Sequence, residues 1–148
     1  MAKDRLTRDE YFIKLAYQVS QRGTCDRAYV GCVLVNEDNR IVSTGYNGSI
    51  KGNPHCDQVG HTMREGHCIA TIHAEMNALL YCAKEGISVD SCTCYVTHFP
   101  CLNCTKSLIQ AGIKRICYTH AYRVDSYALE LLKRNKIIIE KIDLISED

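Results

Sequence analysis

The chain has 148 residues, 46% of them hydrophobic, enough for one compact domain with a sizeable core over residues 1–148. With 18 Lys and Arg against 17 Asp and Glu, it lacks the strong basic field of a nucleic-acid binder. No apolar run approaches the roughly 20 residues of a membrane span. The 10 cysteines would suit a small disulfide-bonded secreted protein. The N-terminus MAKDRLTRDE reads as no signal peptide, however, so a reducing cytoplasm is expected, with thiols on metal or in the core.

Thr7-Arg8-Asp9-Glu10 is a capping box with Leu6 as its staple residue. Behind it Tyr11, Phe12, Leu15, Ala16 and Val19 recur at helical spacing, which predicts a helix over 8–22. Residues 29–35 and 40–46 read as strands of a hairpin around the turn Asn36-Glu37-Asp38-Asn39. From Asn47 to Thr71 the chain has no sustained period, and so long a loop within a domain is usually functional or held by something other than packing. Helices over 73–85, 101–112 and 125–134 then alternate with strands over 93–98, 114–119 and 136–142. This alternation predicts a three-layer α/β/α domain with a mixed five-stranded sheet. Cys32, Cys82, Cys92, Cys94 and Cys117 fall in apolar patterns and belong to packing.

Two short pieces carry the chemistry: His73-Ala74-Glu75 and Pro100-Cys101-Leu102-Asn103-Cys104. An imidazole and two thiols make three zinc ligands, which leaves a tetrahedral position for water, and Glu75 is then the base beside the metal. Positions i and i+2 of a regular helix point about 200° apart. His73 and Glu75 therefore face one pocket only if the helix begins at about His73. Cys101 and Cys104 share the face of a first turn, with Pro100 where an N–H is dispensable. Helix N-termini favour the thiolate form that binds metal.

H-x-E followed by P-C-x-x-C is the signature of the zinc base deaminases. With these motifs, and with Gly45-Tyr46-Asn47-Gly48 and Cys25-Asp26-Arg27 ahead of Val30-Gly31, the chain resembles the deoxycytidylate deaminases of the cytidine deaminase superfamily. The resemblance implies hydrolysis of dCMP to dUMP and ammonia in support of thymidylate synthesis. It also implies a homohexamer, activation by dCTP, inhibition by dTTP, and Mg2+ accompanying the nucleotide effectors.

Glu75 would take a proton from the zinc-activated water, pass it to N3 of cytosine and then protonate the departing amine. By resemblance, Asn47 binds the deoxyribose 3′-hydroxyl, the backbone of Ala74 and Thr97 reads the base edge, and the loop Gly45-Tyr46-Asn47-Gly48 serves the effectors. Arg27 is the first candidate for the phosphate, Arg123 the second and Lys51 a weaker third.

Cys25, Cys56, His61, His67 and Cys68 crowd the irregular region. The resemblance implies a second, structural zinc there, best matched by Cys25, Cys56 and His67, with Cys68 or His61 as the fourth ligand. The rival readings are a tRNA adenosine deaminase, which must grip an RNA loop, a nucleoside cytidine deaminase, and a zinc-stabilised interaction module without chemistry.

Overall fold

The computed structural model describes residues 4–121 and 123–144. Helix α1 (Arg8–Ser20) starts at the Thr7 capping box, in which Thr7 Oγ1 accepts from Glu10 N–H and the Glu10 carboxylate accepts from Thr7 N–H. It ends two residues before the sequence expectation. Strands β1 (Gly31–Val35) and β2 (Ile41–Tyr46) form the expected hairpin.

The segment expected to be irregular contains short elements: β3 (Gly48–Ser49), α2 (Cys56–Val59), β4 (Met63–Arg64), β5 (His67–Cys68) and β6 (Thr71–Ile72). β3 pairs with β6, and β4 with β5. Glu65 and Gly66 join β4 to β5 with positive φ at both positions, as the tightest hairpin turns require. Two-residue strands are too short for alternation to register, which is why the pattern read as loop.

Then follow α3 (Ala74–Glu85), β7 (Thr93–His98), α4 (Leu102–Gln110), β8 (Arg115–His120), α5 (Ser126–Arg134) and β9 (Ile138–Lys141). The five long strands form one sheet in the order β2-β1-β7-β8-β9. β1 is antiparallel to β2 and β7, and β7, β8 and β9 are mutually parallel, so the sheet is mixed.

Alternation along the strands divides the core in two. Cys32, Leu34, Cys94, Val96 and Ile116 pack in the cluster that includes Ala74, Ala78 and Cys82 of α3, Leu108 of α4, and Ala128 and Leu132 of α5. Val33, Val35, Tyr95 and Cys117 pack with Phe12, Ile13 and Ala16 of α1. Helices therefore cover both faces. All five cysteines assigned to packing are buried in these clusters.

α1 is also tied down electrostatically. Both Asp9 carboxylate oxygens accept from the Arg115 guanidinium, at 2.8 and 2.7 Å, and Asp9 Oδ1 also accepts from the Tyr95 hydroxyl.

Candidate active site

α3 and α4 present their N-termini to the same place. His73 and Cys101 are the two N-cap residues, both with extended backbone. A residue just outside a helix escapes the 100° step, so His73 and Glu75 converge as a regular helix would forbid. Cys101 Sγ accepts from Cys104 N–H, filling the role of a capping oxygen.

His73 Nδ1 lies 3.6 Å from Cys101 Sγ and 3.4 Å from Cys104 Sγ. Zn–S bonds of about 2.3 Å and Zn–N bonds of about 2.05 Å at a tetrahedral angle place sulfur and nitrogen roughly 3.6 Å apart, so these donors fit one zinc ion without rearrangement. Hydrogen bonds with Cys104 and His73 hold the Cys101 thiol down at about 4. Cys104, which donates to Cys101 and is buried beside Glu75, is pushed up. His73, paired with Cys101, is raised.

Glu75 is only 4% exposed, and burial raises its carboxyl above the ordinary range. It lines a cleft of about 700 Å³ together with His73, Ala74, His98, Phe99 and Cys101 and with Arg27, Asn47 and His67. Among the described residues it is the one carboxylate in that lining.

Asn47 is buried, and its amide is largely engaged. Oδ1 accepts from Val30 N–H at 2.9 Å, while Nδ2 donates to the carbonyls of Ala28 and Cys25 at 2.6 and 3.3 Å. One Oδ1 lone pair remains for a ligand. Arg27 borders the cleft and donates to the Gly66 carbonyl at 3.2 Å. Arg123 is exposed and is not part of the cleft lining.

A second group forms beside the cleft. Sulfurs of Cys25, Cys56 and Cys68 and a nitrogen of His61 lie within 4.8 Å of one another. Cys25 Sγ is 3.4 Å from His61 Nδ1, and Cys56 Sγ is 3.6 Å from Cys68 Sγ. Cys68 accepts backbone N–H bonds from Ala70 and Thr62 that hold its thiol down at about 6, whereas burial pushes Cys56 up to about 12.

His67 does not join this group and is corrected as a ligand here. It sits in β5 directly before Cys68, so alternation turns its side chain to the opposite face, where it is exposed. His61 takes the place instead, with its Nε2 2.9 Å from the Asp26 carboxylate. That contact leaves Nδ1 free for a metal, the usual outer partner of a ligating histidine.

Two further residues escaped the sequence reading. Asn77 donates to the Tyr46 and Ile72 carbonyls, locking α3 to β2 and β6. His98 lies on the cleft wall, and its signal was a histidine ending an otherwise apolar strand just ahead of the Pro-Cys motif.

Three metal donors at helix N-termini, with a buried carboxylate in the first turn of one of those helices, are the constellation of the zinc nucleobase deaminases. The model of the cytidine and deoxycytidylate deaminase zinc-binding region matches residues 6–120, and the chain belongs to that family. It is 43% identical over 141 residues to ComE operon protein 2 of Bacillus subtilis, covering 95% of this chain and 74% of that protein. Identity to the deoxycytidylate deaminase of Enterobacteria phage T2 is 32% over 161 residues, covering 83% of this chain and 85% of the phage protein. The yeast deoxycytidylate deaminase is 33% identical over 147 residues, and the match spans 46% of its length. Among solved structures, the dCMP deaminase of cyanophage S-TIM5 in complex with dCMP and dUMP superposes with a TM-score of 0.80 at 30% identity, covering 95% of this chain and 100% of that one.

Proposed function

We propose that this protein hydrolyses dCMP to dUMP and ammonia, with zinc on His73, Cys101 and Cys104 and with Glu75 moving the proton. The observation that carries the reading is the buried, raised carboxyl of Glu75 beside three donors spaced for one zinc ion. The dCMP and dUMP in the S-TIM5 homologue support the substrate. Zinc, when bound, supplies a water made acidic enough to deprotonate near neutral pH.

Glu75 accepts that proton and delivers it to N3 of cytosine, so that C4 becomes electrophilic to the remaining hydroxide; Glu75 then takes the proton of the hydroxyl added at C4 and passes it to the amine, which leaves as ammonia as the C4 carbonyl of uracil forms. A carboxyl lifted toward neutrality both accepts and returns a proton readily. The backbone of Ala74 and Thr97 reads the base edge, and the spare lone pair of Asn47 Oδ1 accepts from the 3′-hydroxyl. Arg27 meets the phosphate at the cleft mouth, with Arg123 as the alternative cation. Glu75→Gln should keep its zinc and lose on the order of 10²–10⁴ in kcat. A zinc-replete Glu75→Gln enzyme with normal turnover overturns the assignment.

The same reading places a structural zinc on Cys25, Cys56, His61 and Cys68, pinning the segment that carries Arg27. It also carries a cytoplasmic homohexamer activated by dCTP and inhibited by dTTP. A cavity of about 370 Å³ lined by Gly45, Tyr46, Gly48, Ser49 and Lys51 suits such an effector, and the buried Ser49 hydroxyl has no partner among the described residues. Steady-state deamination of dCMP with each nucleotide, with and without Mg2+, tests the regulation.

A further inference from the structure

His98 ends β7 opposite His120 of the parallel strand β8, at the C-terminal strand ends where ligands of α/β sheets gather. Its ring is restrained on two sides. The His120 ring packs against it with centroids 5.1 Å apart, and Thr97 Oγ1 lies 2.8 Å from Nδ1.

Thr97 decides which nitrogen carries the proton. Thr97 is 1% exposed, and its hydroxyl accepts from Gly31 N–H at 3.2 Å. Among the described residues, its hydroxyl hydrogen has one remaining acceptor close by, His98 Nδ1. A buried hydroxyl left without an acceptor is costly, so Thr97 donates to Nδ1. The neutral ring then carries its proton on Nε2, and the cleft wall holds a hydrogen-bond donor in a fixed position.

Resting on the dCMP reading, we propose that His98 walls the base pocket on the C5 side of cytosine and decides which 5-substituted cytosines the enzyme accepts. In cytosine, N3 and C5 flank C4. With C4 at the three metal donors and N3 at Glu75 of α3, C5 falls on the side away from Glu75. α3, which carries Glu75, packs over β2 and β1, whereas His98 lines the cleft from the end of β7 beside His120 of β8, further across the sheet and three residues before Cys101.

Unsubstituted cytosine leaves room for water at Nε2–H. A 5-methyl group displaces that water and leaves the donor unpaired, whereas a 5-hydroxymethyl group supplies an oxygen to accept from it. Sites built around a fixed donor discriminate strongly against analogues that leave it unpaired.

The test is kcat/KM for dCMP, 5-methyl-dCMP and 5-hydroxymethyl-dCMP in the wild type, His98→Leu, His98→Gln and His98→Asn, each with zinc content measured. The wild type should favour hydroxymethyl over methyl by about tenfold or more. His98→Gln, whose amide reaches the place of Nε2, should keep most of that ratio. His98→Leu, and the polar His98→Asn whose shorter amide replaces only Nδ1, should bring it to within about threefold.

A wild type that treats the two substituents alike overturns the proposal, as does an undiminished ratio in His98→Leu or His98→Asn. An equal fall on all three substrates in those variants also overturns it, because that is the mark of a merely structural residue. A wild type inactive on dCMP ends the deaminase reading itself, a result distinct from an active enzyme without the substituent preference.

Discussion

Gly45 lies where β2 passes beneath α3, and the structure leaves no space for a side chain there. A Cβ at position 45 would stand 2.3 Å from the Ala74 carbonyl oxygen and 2.6 Å from Ala78 N, both backbone atoms that cannot rotate away. Ordinary contact begins near 3.4 Å, so Gly45→Ala must push the first turn of α3 from the sheet by about 1 Å. Overpacking of this kind costs about 1–3 kcal/mol. That turn carries Glu75 and follows His73, while Cys101 and Cys104 are fixed on α4, so the displacement opens the donor triangle. Misplacing catalytic groups by 1 Å can cost about 10²-fold. Gly45→Ala should therefore show a lowered urea midpoint, weaker zinc retention against a chelator, and dCMP turnover down by about two orders of magnitude. Native stability together with native turnover would refute the reasoning and return Gly45 to a role in the effector loop alone.

Cys56→Ser should lower the metal content by one zinc per chain and reduce stability, whereas Cys32→Ser should leave the metal content unchanged. Cys32 and Cys94 also approach to 3.6 Å, but they sit in the core with no third donor among the described residues. Atomic absorption on the two variants checks this. Asn47→Ala removes three hydrogen bonds that organise the chain around Cys25, Ala28 and Val30. It should cost about 2–4 kcal/mol in chemical denaturation and raise KM for dCMP. Arg115 holds the Asp9 carboxyl below its ordinary value, so the pair's contribution is present above the unfolded carboxylate pKa and is lost as pH falls through the folded one. Arg115→Met should accordingly lose about 1–2 kcal/mol at pH 7, a figure kept small by partial exposure, and this deficit should shrink below about pH 4 in pH-dependent melts.

The layered fold was legible because its long elements carry clean periods. Phe12 and Ala16, two of the residues read at helical spacing, are buried on one face of α1 while Tyr11 is exposed, and the five long strands alternate or run apolar. The grouping of His73, Cys101 and Cys104 was legible because His73 and Cys101 are N-caps: each short motif orders its own side chains at a helix start, and the packing of α3 against α4 brings the two together. The second cluster depends on tertiary detail. His67 and His61 are equivalent in composition, and only the hairpin turn at Glu65-Gly66 decides that Cys68 points inward and His67 outward. A one-residue change of phase in a strand exchanges its two faces, and two-residue strands offer no pattern from which to read that phase. The proton position on His98 is more remote still, since it follows from a bond between Thr97 and Gly31, residues brought together by the pairing of β1 with β7.

The irregular region and the active site form one mechanical unit, which explains why soft ligands concentrate in a segment that lacks a core of its own. Cys25 contributes its sulfur to the four-donor cluster and its carbonyl to Asn47, and Asp26 steadies His61. Arg27, next in sequence, reaches across to Gly66 in the turn between β4 and β5. Val59, Met63 and Ile69 around these elements are exposed, so apolar burial contributes little to holding them. The structural zinc proposed on Cys25, Cys56, His61 and Cys68 would supply a cross-link in its place, as in small domains whose metal supplies the folding energy. Glu75 rests on α3 and the sheet, whereas Arg27 and Asn47, which also line the cleft, are tied to the segment that holds the four donors.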